Sequence, residues 1–127
     1  MKNIIAASIA LLISVGTANA HEMTPTYPKL EPSHLDGLYK TTMEMFNKRQ
    51  DVEYYEIGVF DSDFEPIPFV STFKIVKIKY LGHVTFQVYI RKGDANRATY
   101  ICSRSKLRKE DITRTAITSK ICSKIKK

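Results

Sequence analysis

The chain has 127 residues, two cysteines and a formal net charge of +7 at pH 7. A chain of this length holds one domain around a single core, which excludes an array of several independently folded domains. The excess of basic residues is compatible with an acidic protein, an anionic membrane surface or nucleic acid as the partner.

The first 20 residues have the pattern of a secretory signal peptide. An apolar run from Ile4 to Val15 precedes Ala18-Asn19-Ala20, which is a small-x-small cleavage site. The run is shorter than the roughly 20 residues that span a bilayer, and no second hydrophobic segment follows it. We therefore expect a single domain over residues 21–127, exported to the periplasm or secreted, with no membrane span in the mature chain.

Charge is unevenly distributed along the mature chain. Residues 21–73 hold four Lys/Arg against ten Asp/Glu, a net charge of −6, whereas residues 74–127 hold fifteen against three, a net charge of +12. The second half therefore carries the basic surface. In an exported protein we expect this surface to meet a polypeptide rather than nucleic acid. A basic solvated face without a specific partner is the other interpretation.

The apolar residues of the first half follow the period of two that is typical of β-strands. The segment from Tyr39 to Met45 places its larger apolar side chains at odd positions, and the segment from Tyr54 to Phe60 alternates in the same way. A first strand is predicted at Tyr27 to Leu30. The prolines in the segment from Glu65 to Phe69 predict an edge strand or a crossing between two sheets.

The second half continues this pattern. A lysine-rich strand is predicted at Phe73 to Tyr80, followed by a turn at Gly82-His83. The clearest alternation of the chain runs from Val84 to Ile90, and a turn is predicted at Arg91 to Asp94. We find no helix of convincing length and no internal repeat. About seven short strands with turns between them predict an all-β antiparallel sandwich or barrel.

The two cysteines lie in two similar segments near the end of the chain. Cys102 falls in the strand predicted at Ala98 to Ser105, and Cys122 in the strand predicted at Ala116 to Ile125. Two cysteines in an oxidising compartment are expected to pair. If the two strands are antiparallel neighbours, the disulfide closes the loop of residues 103–121 and contributes about 3 kcal/mol of stability.

The order of these features resembles the N-terminal immunoglobulin-like domain of the PapD-like periplasmic pilus chaperones. The resemblance covers most of residues 27–127 and lies in the successive segments KTTMEMFNKRQDVEYYEIGVFD, EPIPF, FKIVKI, VTFQVYIR, RATYICSRSK and ITSKICSKIKK. It implies an immunoglobulin-like sandwich of about seven strands with one disulfide. A subset of that family links its last two strands, which is where Cys102 and Cys122 fall.

The resemblance also implies a way of binding. In that family a basic residue of the first strand and a lysine of the last strand hold the C-terminal carboxylate of a client subunit, while apolar residues of the last strand complete the client's core. The physical basis is strand addition to an exposed sheet edge. By position, Lys29 and Lys124 match the two basic residues, with Lys120 as a competitor. The alternating apolar residues of the last strand are Ile117, Ile121 and Ile125.

We therefore expect an exported protein-binding domain. The function that the resemblance implies is an accessory or chaperone-like factor in the assembly of a pilus, secretion or conjugation apparatus. The contact surface is predicted on the last strand and on the basic residues that precede it, Arg104, Lys106, Arg108 and Lys109. Its partner is expected to be a pilus or secretion subunit.

Residues suited to catalysis or metal binding are scattered. The histidines, His21, His34 and His83, are far apart and expected on the surface, so neither a metal site nor a base beside a nucleophile is indicated. Asp61 and Asp63 lie in a run without the glycine and the distal glutamate of a calcium loop. We expect no enzyme activity, no cofactor and no metal.

Two alternative functions use the same basic residues. The first is a small periplasmic inhibitor, similar to lysozyme inhibitors, that blocks the acidic cleft of a hydrolase with the loop of residues 104–109. The second is a nucleic-acid-binding barrel with Tyr54, Tyr55 and Tyr89 as stacking residues. Tyr55 shares its face with apolar residues, which favours packing over stacking on a base.

Overall fold

The computed structural model describes residues 21–106 and 118–127. This part of the chain forms two antiparallel sheets that enclose one hydrophobic core. The predicted fold class, an all-β immunoglobulin-like sandwich with one disulfide, is confirmed. No helix within the described ranges is long and apolar enough to cross a membrane.

The described residues form nine strands, several of them only two or three residues long, which make up the two sheets, and one short helix. In chain order these are β1 (Glu22–Thr24), β2 (Glu31–Pro32), β3 (Leu38–Phe46), β4 (Tyr54–Phe60), β5 (Val70–Ser71), β6 (Ile75–Lys77), β7 (His83–Arg91), α1 (Lys92–Ala95), β8 (Tyr100–Lys106) and β9 (Lys120–Lys124). The first sheet has the order β1-β3-β7-β5, with β2 also paired to β3, and the second has the order β6-β4-β8-β9.

The centre of the first sheet is the pair β3 and β7, which are antiparallel over nine residues each. Their alternation is the one that the sequence predicts, because one side of each strand faces the core and the other faces solvent. Burying an aliphatic or aromatic side chain of this size contributes about 1.5–3 kcal/mol. The fully buried side chains of the pair are Met43, Met45, Phe86, Val88 and Ile90.

The second sheet packs its own apolar side against the first. β4 pairs with β8 over seven residues, from Tyr54 opposite Lys106 to Phe60 opposite Tyr100. Tyr55, with its ring fully buried, lies on the core side of β4 as its alternation predicts. The tyrosine is therefore a packing residue rather than a stacking platform.

The proline-containing segment crosses between the sheets, as predicted. The amide of Ile67 donates to the carbonyl of Val59 at 2.8 Å, and shortly afterwards Val70 pairs with Tyr89 in the first sheet. The chain then returns to the second sheet as β6. Because the chain changes sheets twice within ten residues, the strand here is Ile75–Lys77, which is shorter than the strand predicted at Phe73 to Tyr80.

The strand predicted at Tyr27 to Leu30 is wrong. The first sheet instead begins with β1 and β2 on either side of this segment. Pro25 and Pro28 lack the N–H groups that a ladder requires, so the segment cannot join β3 as a regular strand. It lies beside β9 instead, where the carbonyls of Thr26 and Pro28 accept hydrogen bonds.

The turn after β3 contains a buried amide. Asn47 is fully buried, and its Nδ2 donates to the carbonyls of Val52 at 2.9 Å and Ile78 at 2.8 Å. Its Oδ1 accepts from the hydroxyl of Tyr55 and from the amide of Arg49. The side chain thus satisfies backbone groups that a surface turn would leave to water.

The turn predicted at Arg91 to Asp94 forms as the short helix α1. The Asp94 carboxylate accepts hydrogen bonds from Arg91 and Arg97, both at 2.9 Å. The hydrogen bond from Arg97, and next the one from Arg91, lower the pKa of Asp94. One carboxylate therefore pairs with two of the basic residues of the second half and offsets one of their two positive charges.

The disulfide forms between directly opposite residues of β8 and β9. Cys102 and Cys122 are cross-strand partners with a Cα–Cα separation of 4.0 Å. The predicted pairing is confirmed. It connects the last strand to the sheet covalently, and removing it releases the loop-closure constraint on the unfolded chain.

We expect the double variant Cys102→Ser/Cys122→Ser to lose about 3 kcal/mol of unfolding free energy, because the unfolded chain regains the entropy of the open loop. Guanidinium denaturation of the oxidised and reduced protein measures this loss. Reductant should lower the wild-type midpoint to that of the double variant and leave the variant unchanged. Equal midpoints for the oxidised wild type and the variant would contradict the assignment of this stability to the disulfide.

Candidate functional site

β9 is the last strand of the second sheet and uses alternate residues to pair with β8. The carbonyl of Ser119 accepts from the amide of Ser105 at 2.9 Å, and the amide of Ile125 donates to the carbonyl of Thr99 at 2.8 Å. Odd-numbered residues of β9 therefore direct their backbone groups to β8. By the geometry of an antiparallel ladder, the even-numbered residues direct theirs away from the sheet.

Among the described residues, backbone hydrogen bonds cover the outward side of β9 at one end. The amide of Lys124 donates to Thr26 at 3.0 Å, and that of Lys126 donates to Pro28 at 2.7 Å. The outward backbone N–H and C=O groups of Lys120 and Cys122 have no hydrogen-bonding partner among residues 21–106 and 118–127. We refer to these groups of Lys120 and Cys122 as the free edge.

The side chains of β9 divide between core and surface. Ile125 is buried in the core and Ile121 packs against it, so these two predicted contact residues turn away from the surface. The surface side presents Lys120, Cys122 and Lys124. A partner that reaches β9 in this structure therefore meets its backbone edge and its lysines rather than its isoleucines.

The surface side of β4, β8 and β9, which we call the outer face, is basic. Register places Glu56, Arg104 and Lys120 in one row across the three strands. The Glu56 carboxylate accepts from Arg104 at 3.0 Å and lies 3.7 Å from the Lys106 ammonium. One acid is thus shared by two bases, and Lys120 forms no ion pair with a described residue.

Aromatic rings support Lys120 on the outer face. Its ammonium lies 5.1 Å from the ring centre of Phe60 and 5.0 Å from that of Phe64, which are cation–π distances. The Phe64 ring stacks in turn on Tyr100, with 4.5 Å between the ring centres. Phe64 is 47% exposed, so the group is open to solvent.

A shallow cavity of about 220 Å³ opens between these groups. Gly58 helps to form it, because a Cβ atom there would lie 2.8 Å from Cε2 of the Phe60 ring. The glycine therefore lets the ring lie over the strand. We call this the outer-face cavity; it is lined by Glu56, Gly58, Phe60, Cys102, Arg104 and Lys120.

A second cavity, of about 320 Å³, lies at the end of the sandwich beside α1. Its apolar lining includes Leu30, Tyr39 and Ile125, and lysines stand at its rim. The Lys127 ammonium donates to the carbonyls of Ala95 at 3.1 Å and Asn96 at 2.8 Å. We call this the end cavity; its basic lining residues are Lys92, Lys126 and Lys127.

The structure divides the predicted site residues between two places. Arg104, Lys106 and Lys120 come together on the outer face. Lys29 forms a parallel bridge with Lys126 near the end cavity, so it lies apart from that group. The remaining predicted contacts, Arg108, Lys109 and Ile117, lie outside the described residues.

Sequence reasoning missed the aromatic part of the outer face. Phe64 sits in the turn after β4 with a φ of 61°, and Phe60 and Gly58 belong to a strand interpreted for its buried side only. The one trace in the sequence is Phe64 itself, a large apolar residue inside the acidic turn DSDFE. A single apolar residue in a turn does not by itself indicate a contact surface.

The prediction that His21 lies on the surface is wrong. Its ring is 1% exposed, with Nε2 at 2.7 Å from the Ser103 hydroxyl and Nδ1 at 3.0 Å from the Ser119 hydroxyl. Burial lowers the pKa of His21 to about 4. The hydrogen bond with Ser103 raises this pKa, and the positive charge of Arg49 lowers it further. Ser103 is itself fully buried, so the pair connects β1 to β8 and β9 and is closed to a substrate.

The other two histidines, His34 and His83, are exposed, as predicted. Within the two described ranges, no group of three or more histidine, cysteine, aspartate and glutamate residues could hold a metal ion.

The chain matches no protein-family model and no curated protein sequence. Among solved structures, the E. coli chaperone DraB superposes with a TM-score of 0.63 at 14% identity, covering 84% of this chain and 53% of DraB. The ASH/PapD-like domain 7 of human CEP192 superposes with a TM-score of 0.55 at 10% identity, covering 95% of this chain and 94% of that domain.

These likenesses show the fold, which is the PapD-like form of the immunoglobulin-like sandwich. At these identities they carry no residue roles. The chain spans about half the length of DraB.

The buried His21 ring predicts a loss of stability in mild acid. Its pKa falls from 6.5 in the unfolded chain to about 4 in the fold, so between these values the unfolded state binds more protons. The unfolding free energy should therefore be highest above pH 6.5 and fall by about 2 to 3 kcal/mol as the pH drops towards 4. Urea denaturation at several pH values measures the slope.

The matched controls are His21→Asn, which cannot titrate, and His34→Gln, which removes an exposed histidine. The first should lose the wild-type slope in this window, and the second should keep it. A slope that survives in His21→Asn would assign the acid sensitivity to other groups.

Proposed function

We propose that this protein is an exported protein-binding domain that works as an accessory or chaperone-like factor in the assembly of a pilus, secretion or conjugation apparatus. The observation that carries the proposal is the free edge of β9. The outward backbone groups of Lys120 and Cys122 lack partners among the described residues and stand beside a basic face. An extended segment of a client adds to this edge as a further strand.

Strand addition suits such an edge for a general reason. Unpaired N–H and C=O groups in a row are a template for another strand, which supplies the missing main-chain hydrogen bonds. Side chains that alternate along the added strand then provide selectivity. In this protein the disulfide-linked pair of β8 and β9 holds the edge in place, so binding costs little conformational entropy on this side of the interface.

The fold supports the same role. A PapD-like sandwich is the fold that this chain shares with the chaperone DraB and with an ASH domain, which favours binding over catalysis. The resemblance in the sequence adds the expectation of a client subunit.

The end cavity supplies a second contact for a client. Its apolar lining and lysine rim suit a residue that carries a terminal carboxylate, the group that the resemblance assigns to Lys29 and Lys124. Lys29 lies beside Lys126 at this end of the fold. Lys124 is exposed on the last strand between the end cavity and the free edge.

Export is the first testable part of the proposal. We expect the mature protein to begin at His21, because the small residues Ala18 and Ala20 fit the positions that signal peptidase requires. N-terminal sequencing of protein purified from the envelope or medium of the producing cell gives the result. A mature chain that begins at Met1 would contradict export.

Strand addition is tested by a proline at the edge. Lys120→Pro removes an outward N–H that β8 does not use, so the fold should tolerate the substitution. The added strand, however, loses one hydrogen bond and is obstructed by the pyrrolidine ring of the proline. With a photo-cross-linking residue at exposed Thr118, we expect adducts with a client subunit in the producing cell. Lys120→Pro should reduce them about fivefold or more, since one such bond contributes about 1 kcal/mol.

Two controls make the outcome specific. Lys120→Ala removes the same side chain but keeps the N–H, so it separates loss of the backbone donor from loss of charge. A cross-linking residue at Thr42, exposed on the opposite sheet, should give no adduct. Equal adducts for the proline and alanine variants would contradict strand addition, and an adduct with a hydrolase would favour the inhibitor alternative.

A further inference from the structure

We propose that the outer-face cavity selects an acidic side chain in the strand that adds to β9, so that the preferred partner is an extended polypeptide with Asp or Glu opposite Lys120. This inference rests on the proposed strand addition and gives it a chemical specificity. Three observations carry it: the register of the outer face, its unbalanced charge, and the fixed position of the Lys120 ammonium.

Register places the selected side chain. Glu56, Arg104 and Lys120 form a continuous row across β4, β8 and β9, and an added strand extends this row by one position. Directly opposite residues of neighbouring strands have Cβ atoms about 4.5–5.5 Å apart on the same face. The residue of the partner opposite Lys120 therefore places its side chain on the outer face, next to the cavity.

Charge decides which side chain belongs there. The carboxylate of Glu56 is already shared by Arg104 and Lys106, at 3.0 and 3.7 Å. Lys120 forms no ion pair with a described residue, so the row carries excess positive charge. A carboxylate in the added strand completes the row, whereas a lysine or arginine would be repelled by like charge directly opposite.

The Lys120 ammonium is positioned before a partner arrives. It lies over both Phe60 and Phe64, and Phe64 is supported by its stacking on Tyr100. Cation–π contact attracts the ammonium without neutralising its charge. A lysine that is already ordered loses less side-chain entropy when it binds a carboxylate than a freely rotating one does.

The same charges disfavour a second copy of this chain as the occupant. If two β9 strands paired antiparallel about Cys122, Lys120 of each would lie opposite Lys124 of the other. If they paired about Lys120, the two copies of that lysine would be opposite. Lysines on an edge are a known protection against self-pairing, and here they leave an acidic strand as the complementary partner.

The experiment uses three synthetic ten-residue peptides that alternate threonine and valine and differ only at one central threonine position, which is Glu, Gln or Lys. Calorimetric titration of the full mature protein gives each dissociation constant. Nuclear magnetic resonance hydrogen exchange of the Lys120 and Cys122 amides reports strand addition independently. We expect the Glu peptide to bind about tenfold more tightly than the Gln peptide, the Lys peptide to bind most weakly, and the two amides to become protected.

Charge reversal at the lysine tests the assignment. In Lys120→Glu the order should invert, so that the Lys peptide binds best. Lys79→Glu makes the same change in charge on an exposed lysine outside the cavity and should keep the wild-type order. Phe64→Ser removes an exposed ring that positions Lys120 and should reduce the Glu-to-Gln ratio a few-fold without abolishing protection of the amides.

The outcomes separate the two proposals. If the amides are protected but the peptide order is unchanged in Lys120→Glu, the selection of an acid is overturned and strand addition stands. If the Glu peptide binds without protecting the amides, the contact is only ionic and both proposals are overturned. The absence of binding by every peptide at millimolar concentration would also overturn both.

Discussion

The pairing of β8 with β9 is the constraint on which the rest of the structure depends. Cys102 opposite Cys122 fixes the register, and the period of two then assigns every side chain of β9 to a face. Ile121 and Ile125 turn to the core, while the lysines turn to solvent. A slip of one residue would exchange the two sets and bury charge in place of isoleucine, which the core cannot accommodate.

The same register joins a backbone property to an electrostatic one. Even-numbered residues of β9 carry both the outward hydrogen-bonding groups and the outward side chains, so each unpaired N–H stands beside a lysine or the disulfide. Edge strands generally need protection against indiscriminate pairing, and charge provides it. In this sandwich the protecting charges are of one sign, so the charges that oppose self-pairing are also the basis of the proposed preference for an acidic strand.

The sequence was informative where the two sides of a strand meet different environments. The alternation of β3, β4 and β7 located these strands, because their buried and exposed sides differ strongly, and the two cysteines located the disulfide. The sequence did not indicate which distant segments contact each other through their side chains. His21 is buried only because Ser103 and Ser119 come together around it, and Lys120 meets Phe64 only because the turn after β4 folds over the sheet. Such contacts between distant segments leave no local periodicity.

The segment beside β9 limits the reach of any added strand. The amides of Lys124 and Lys126 already donate to the carbonyls of Thr26 and Pro28, so the part of the edge that is available to an added strand ends near Cys122. A longer strand would have to displace this segment and give up its two bonds. In the proposed strand addition, the N-terminal segment therefore limits how many main-chain hydrogen bonds can form, and side-chain contacts have to supply the rest of the affinity.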